Sequence, residues 1–121
     1  MTRILIVEDE KETADALEKY LSLSGYDTIV AENGHQAVTK ARSTRPDVII
    51  MDVKLPILGG MEACFLIKQQ PEMKDVAIIM LTSLCGLDDI NKCFAVGANC
   101  YMNKPVDPER LIAKVRKIAN N

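Results

Sequence analysis

The chain has 121 residues, 48% of them apolar and 26% charged, with a net charge of −2. That length suits one domain with a real core, and the balance is that of a globular chain rather than a disordered one. The slight negative charge, with no basic block and no zinc-ligand spacing, leaves no general attraction to nucleic acid.

The opening MTRILIVEDE meets acids too early for a secretory signal, and no apolar run approaches the length of a membrane span, so a cytoplasmic location is expected. In chain order, ILIV (4–7) reads as a first strand. The stripe Ala14, Leu17 and Leu21 reads as a helix that stops at Gly25. DTIVA (27–31) is a weaker second strand, followed after Asn33-Gly34 by a helix carrying Ala37, Val38 and Ala41 and ending before Pro46. VIIM (48–51) is the third strand. Met61, Cys64, Phe65 and Ile67 then mark a helix that runs to Pro71. AIIML (77–81) is the fourth strand, and Leu87, Ile90 and Phe94 mark a helix ending at Gly97. NCYM (99–102) and the stripe Leu111, Val115, Ile118 close the series.

The strong strands are unbroken apolar runs rather than alternating ones, as suits a parallel sheet covered on both faces. Five βα repeats without a linker predict one domain over residues 1–121. Its class is α/β: a flavodoxin-like (βα)5 three-layer sandwich with a parallel five-stranded sheet of order 2-1-3-4-5. Cys64, Cys85, Cys93 and Cys100 form no CxxC and have no histidine at ligand spacing, so they read as buried or half-buried thiols. His35, the one histidine, reads as a solvated surface residue.

In an open parallel sheet, ligands bind outside the carboxyl ends of the strands, where the strand order reverses. Each predicted strand delivers polar residues there: Glu8 and Asp9 after the first, Asp52 after the third, Thr82 and Ser83 after the fourth, Lys104 after the fifth. Any one of these alone is an ordinary loop or capping residue. Together they make a site. Three converging carboxylates repel one another unless a cation intervenes, and an all-oxygen donor set suits Mg²⁺, with Mn²⁺ as the alternative. Lys104 and Thr82 offer an ammonium and a hydroxyl to a phosphoryl group, and a carboxylate such as Asp52 can act as the nucleophile that forms an acyl phosphate.

The motifs ILIVEDE, AENGHQA, PDVIIMDVKLPILGG, IIMLTS and GANCYMNKP resemble a response-regulator receiver domain of two-component signalling, of the chemotaxis-receiver type, over nearly the whole chain. The resemblance implies that Asp52 accepts a phosphoryl group from a phosphohistidine on a sensor histidine kinase or histidine phosphotransfer protein. It implies Mg²⁺ held by the side chains of Asp9 and Asp52, the backbone carbonyl of Lys54 and, through water, Glu8. Lys104 and Thr82 would contact the phosphoryl group, and the peptide before Pro105 would be cis. Thr82 and Tyr101 would form the switch, with Tyr101 rotating inward and reshaping the face made by the fourth helix, fifth strand and fifth helix. That face would then engage a downstream protein or output domain, or a second copy of the chain. The chain would catalyse only its own phosphorylation and dephosphorylation.

Gly59 stands where the family usually has Asp, Asn or Ser, and Glu8 is a longer acid where Asp is common. Lys54 and Leu84 hold positions that tune phosphoryl lifetime, and their bulk is expected to crowd the approach of water. Rival readings are an Mg-dependent aspartyl-phosphate phosphatase, a flavodoxin-like redox carrier, against which the loop VEDEKE and the lack of tryptophan speak, and a binding module that is never phosphorylated. The phosphatase would need a second acid where Lys54 stands. The binding module does not account for the complete set of site residues.

Overall fold

Branched apolar side chains pack well on a pleated surface buried on both sides, and they set the three central strands. The computed structural model describes residues 1–83 and 86–119. The strands are β1 (Arg3–Val7), β2 (Asp27–Ala31), β3 (Val48–Asp52), β4 (Ala77–Thr82) and β5 (Cys100–Asn103). The helices are α1 (Lys11–Leu23), α2 (Gly34–Thr44), α3 (Gly60–Gln69), α4 (Leu87–Ala95) and α5 (Pro108–Ala119), and a short 3-10 turn (Pro71–Met73) follows α3. All strands pair in parallel in the order β2-β1-β3-β4-β5, the doubly wound arrangement that the sequence predicts.

Side chains alternate across each strand, so the sheet divides the core in two. Ile4, Ile6, Val48, Ile50, Ile79 and Leu81 pack with Leu17, Leu21, Leu111 and Val115 of α1 and α5. Leu5, Val7, Ile49, Met51, Ile78 and Met80 pack with Ala37, Ala41, Ala63, Cys64, Ile67 and Cys93 of α2, α3 and α4. Every residue of β3 and β4 is buried, including the closing Asp52 and Thr82. Burying each large aliphatic side chain contributes roughly 1.5–3 kcal/mol before the entropy of ordering it is set against that gain.

The boundaries differ from the sequence reading in informative places. β3 and β4 each extend one residue further, to Asp52 and Thr82, because Asp52 pairs with Leu81 and Thr82 with Asn103. β5 starts at Cys100 rather than Asn99, whose Oδ1 instead accepts the Ile78 N–H at 2.9 Å. Phe65, Leu87 and Phe94 are exposed rather than part of the core stripes. Successive helical residues point about 100° apart, so Phe65 and Phe94 cannot share the inward direction of Cys64 and Cys93. Phe94 instead sets its ring edge-on to Tyr101, with centroids 6.0 Å apart. Cys64 and Cys93 are buried and Cys100 half-buried, all as free thiols, and His35 is exposed.

Two motif residues earn their place through the backbone. Asn33 caps α2, its Oδ1 accepting the Gln36 N–H at 2.8 Å, while the Gln36 side chain accepts the Glu32 N–H at 3.0 Å. Gly34 follows because a Cβ there would lie 2.0 Å from the Leu58 carbonyl oxygen. The start of α2 is thereby clamped against the loop between β3 and α3.

Candidate functional site

The carboxyl ends of β1, β3 and β4 form one rim, with Glu8 and Asp9 just past β1, Asp52 closing β3 and Thr82 closing β4. Ligand oxygens of Glu8, Asp9 and Asp52 all lie within 4.8 Å of one another. Glu8 and Asp52 are 1% and 6% exposed, whereas Asp9 is open to solvent. The backbone holds this placement. Glu8 N–H donates to the Ala31 carbonyl, continuing the β1–β2 ladder, and Val53 N–H donates to the Leu81 carbonyl, continuing that of β3–β4.

Lys104 reaches back from β5 across β4 to this cluster. Its Nζ donates to Asp52 Oδ2 at 2.7 Å and to Glu8 Oε1 at 3.0 Å. Its own N–H donates to the Thr82 carbonyl at 2.9 Å, and its peptide to Pro105 is cis. The remaining carboxylate oxygens are also engaged: Asp52 Oδ1 accepts the Lys54 N–H at 3.2 Å, and Glu8 Oε2 accepts the Glu10 N–H at 3.3 Å. Burial pushes the Glu8 carboxyl above its ordinary range, and the hydrogen bond from Lys104 only partly offsets that. Burial works against the Lys104 ammonium too, but its bonds to Asp52 and Glu8 prevail and raise its pKa.

Gly60 permits the close packing behind the acceptor. Its N–H donates to the Val53 carbonyl at 2.9 Å, and a Cβ would sit 2.1 Å from the Asp52 carbonyl oxygen. Lys54 is exposed at the mouth, Thr82 is 2% exposed, and Tyr101 is half-buried beside the α2–α4 core. Leu84 lies outside the described residues.

The donor set is all oxygen, as a hard divalent ion requires. At metal–oxygen distances of about 2.1 Å, octahedral ligand oxygens stand roughly 3.0 Å apart when adjacent and 4.2 Å apart when opposite. An all-oxygen cluster within 4.8 Å needs only a small contraction to meet that, so these residues could hold such an ion. Sequence reasoning assembled the acids and Lys104 correctly at one rim. It did not foresee the Lys104–Glu8 ion pair, because strand order alone does not say how far a lysine at β5 reaches across β4.

The model of the response regulator receiver domain family matches residues 4–116. The chain belongs to that family. This receiver is 40% identical over 116 residues to the alkaline phosphatase synthesis transcriptional regulatory protein PhoP of Bacillus subtilis, a match covering 96% of this chain and 48% of PhoP. The receiver therefore spans about half the length of the curated relatives it matches. The chemotaxis response regulator CheY4 of Vibrio cholerae superposes with a TM-score of 0.92 at 31% identity, covering 98% of both chains. The receiver domain of the sensor histidine kinase PA1611 of Pseudomonas aeruginosa, solved with a magnesium ion coordinated in its active site cleft, gives 0.92 at 32% identity, with 99% of this chain and 98% of that one covered. Among the described residues, no helix is long and apolar enough to cross a membrane.

Proposed function

We propose that this receiver, a single domain over residues 1–121 working in the cytoplasm, takes a phosphoryl group onto Asp52 from a phosphohistidine on a sensor histidine kinase or histidine phosphotransfer protein. The reading rests on one observation: a nearly buried carboxylate with an ammonium 2.7 Å away and two further acids within 4.8 Å. An Asp52 carboxylate oxygen attacks phosphorus, the phosphorus–nitrogen bond breaks, and the imidazole leaves with the bonding pair and takes up a proton.

Asp9, Asp52, the Lys54 carbonyl and, through water, Glu8 would hold Mg²⁺, or Mn²⁺ in its place. When bound, the ion neutralises the acids and the charge that develops on the phosphoryl oxygens. Lys104 exchanges its carboxylate contacts for a phosphoryl oxygen, and the Thr82 hydroxyl donates to another. Movement of Thr82 opens space for the half-buried Tyr101 and biases the face of α4, β5 and α5, whose groove of about 590 Å³ is lined by Tyr101, Arg110, Lys114 and Lys117. That face engages an output domain or downstream protein, or a second phosphorylated copy, and the receiver itself touches neither nucleic acid nor membrane. The Lys54 stem crowds the approach of water and prolongs the phosphorylated state.

Acetyl phosphate with Mg²⁺ is expected to add one phosphate to the wild type, read by intact mass, and none to Asp52→Asn. Loading of the Asn variant to the wild-type level would remove Asp52 as the acceptor.

A further inference from the structure

Among the described residues, α4 has a single buried side chain, Cys93, whereas every other α-helix buries at least two. That anchor is a thiol, and it packs in the same half of the core as a second one, Cys64 of α3. Cys64 is turned toward α4, where its Sγ donates to the Val96 carbonyl at 3.5 Å. Val96 caps α4 three positions after Cys93, so the two stand on one face of the helix, a turn apart. Both cysteines are free thiols. Burial pushes Cys64 up to about 11; the Lys68 ammonium opposes that, and Cys93 is close enough to add to it.

Two further placements give this pair a use. Phe94, the residue after Cys93, sets its ring edge-on to Tyr101, so whatever fixes Cys93 also restrains the aromatic pair on the face of α4, β5 and α5. Cys100 packs in the other half of the core, and the sheet keeps it from both thiols. The attacking species in disulfide exchange is the thiolate, and a pKa of about 11 leaves roughly one Cys64 in ten thousand ionised at pH 7. In a reducing compartment the dithiol is therefore the resting form, and closure waits for an oxidant and for α4 to lift from its one anchor.

We propose that Cys64 and Cys93 form a reversible disulfide that ties α4 to α3 and holds the switch face in its unphosphorylated arrangement. The effect on signalling rests on the phosphoacceptor reading above; the bridge itself does not. The oxidant is a small-molecule disulfide of the glutathione class. The Cys93 thiolate, carried outward with α4, attacks one sulfur of that disulfide, whose S–S bond breaks. One thiol leaves with the bonding pair and takes up a proton. The Cys64 thiolate then attacks the Cys93 sulfur and displaces the second thiol in the same way. Two electrons pass to the oxidant, and the two protons lost by the cysteines match those gained by the leaving thiols. With α4 tethered, the conformation that phosphorylation favours loses population.

The folded, reduced chain is incubated with oxidised glutathione, quenched with N-ethylmaleimide under denaturing conditions, and read by intact mass and peptide mapping. The expected product has lost two hydrogens, carries a Cys64–Cys93 cross-linked peptide and reverts with dithiothreitol. Cys85→Ser and Cys100→Ser should still form it, and Cys64→Ala and Cys93→Ala should not. Acetyl phosphate with Mg²⁺ is then expected to load the oxidised wild type about fivefold more slowly than the reduced one, with oxidant leaving the rate of Cys64→Ala unchanged. A bridge through Cys85 or Cys100, a glutathione adduct that never resolves, or no oxidation at all would overturn the inference. So would a Cys64–Cys93 bridge that leaves loading unaltered, or an equal slowing of Cys64→Ala by the oxidant. Failure of the reduced wild type to load would instead remove the Asp52 reading and leave the bridge to stand on its mass and peptide map.

Discussion

Replacing Lys104 by methionine removes the ammonium that touches both buried acids, at 2.7 Å from Asp52 and 3.0 Å from Glu8. At an effective dielectric of about 20, each contact corresponds to about 5–6 kcal/mol of gross Coulomb attraction, most of it offset by desolvating the charges. The decisive quantity is what remains afterwards: two carboxylates, buried and repelling. Removing one partner of a buried ion pair costs about 3–5 kcal/mol. The Lys104 side chain keeps 22% of its exposure, so solvent screens part of the interaction and the lower figure, about 3 kcal/mol, applies. For a chain of this length that is a loss of roughly 12 °C in Tm. Urea denaturation followed by circular dichroism, at pH 7.5 in low salt with EDTA, measures it.

Acidification supplies an internal control. Glu8 has a folded pKa above its ordinary 4.5, so between those two values the native state binds more protons than the unfolded chain, and stability rises as pH falls. Loss of the Lys104 hydrogen bond raises the Glu8 pKa further and widens that window. The deficit of Lys104→Met therefore shrinks between pH 7.5 and pH 5. A variant as stable as the wild type at pH 7.5, or a deficit that does not change with pH, would refute the electrostatic account.

Mg²⁺ at about a hundred times its Kd is expected to stabilise the wild type by roughly 2.7 kcal/mol in the same denaturation assay, and Asp9→Ala to abolish the gain; an unchanged response would count against the assigned ligands. Gly60→Ala places a methyl group 2.1 Å from the Asp52 carbonyl oxygen, and a loss of about 3 kcal/mol is expected on chemical unfolding, together with slower acetyl phosphate loading. In the alkaline range, the raised Lys104 pKa means that its contribution is complete below the ordinary value of 10.5 and is lost as pH climbs through the higher folded value. The wild type should show that decline in thermal melts, and Lys104→Met should lack it.

The sheet was readable because unbroken runs such as VIIM and AIIML leave few alternatives, and because each ends in a residue that an interior would reject. The acids and Lys104 were legible for the same reason: parallel strand order sends every carboxyl end to one rim. Phe65, Leu87 and Phe94 misled because on short helices a stripe of three apolar residues can lie to the side of the core direction. The Lys104–Glu8 contact depends on local backbone paths, which periodicity does not encode.

The division of the core also sorts the polar residues of the rim into two sides. By alternation Glu8 and Asp52 follow Ile6 and Ile50, on the side of α1 and α5, whereas Thr82 follows Met80 and shares the side of α4 with Tyr101. A hydrogen-bonded sheet of five strands separates the two compartments, and polar side chains from both sides come together at its carboxyl rim.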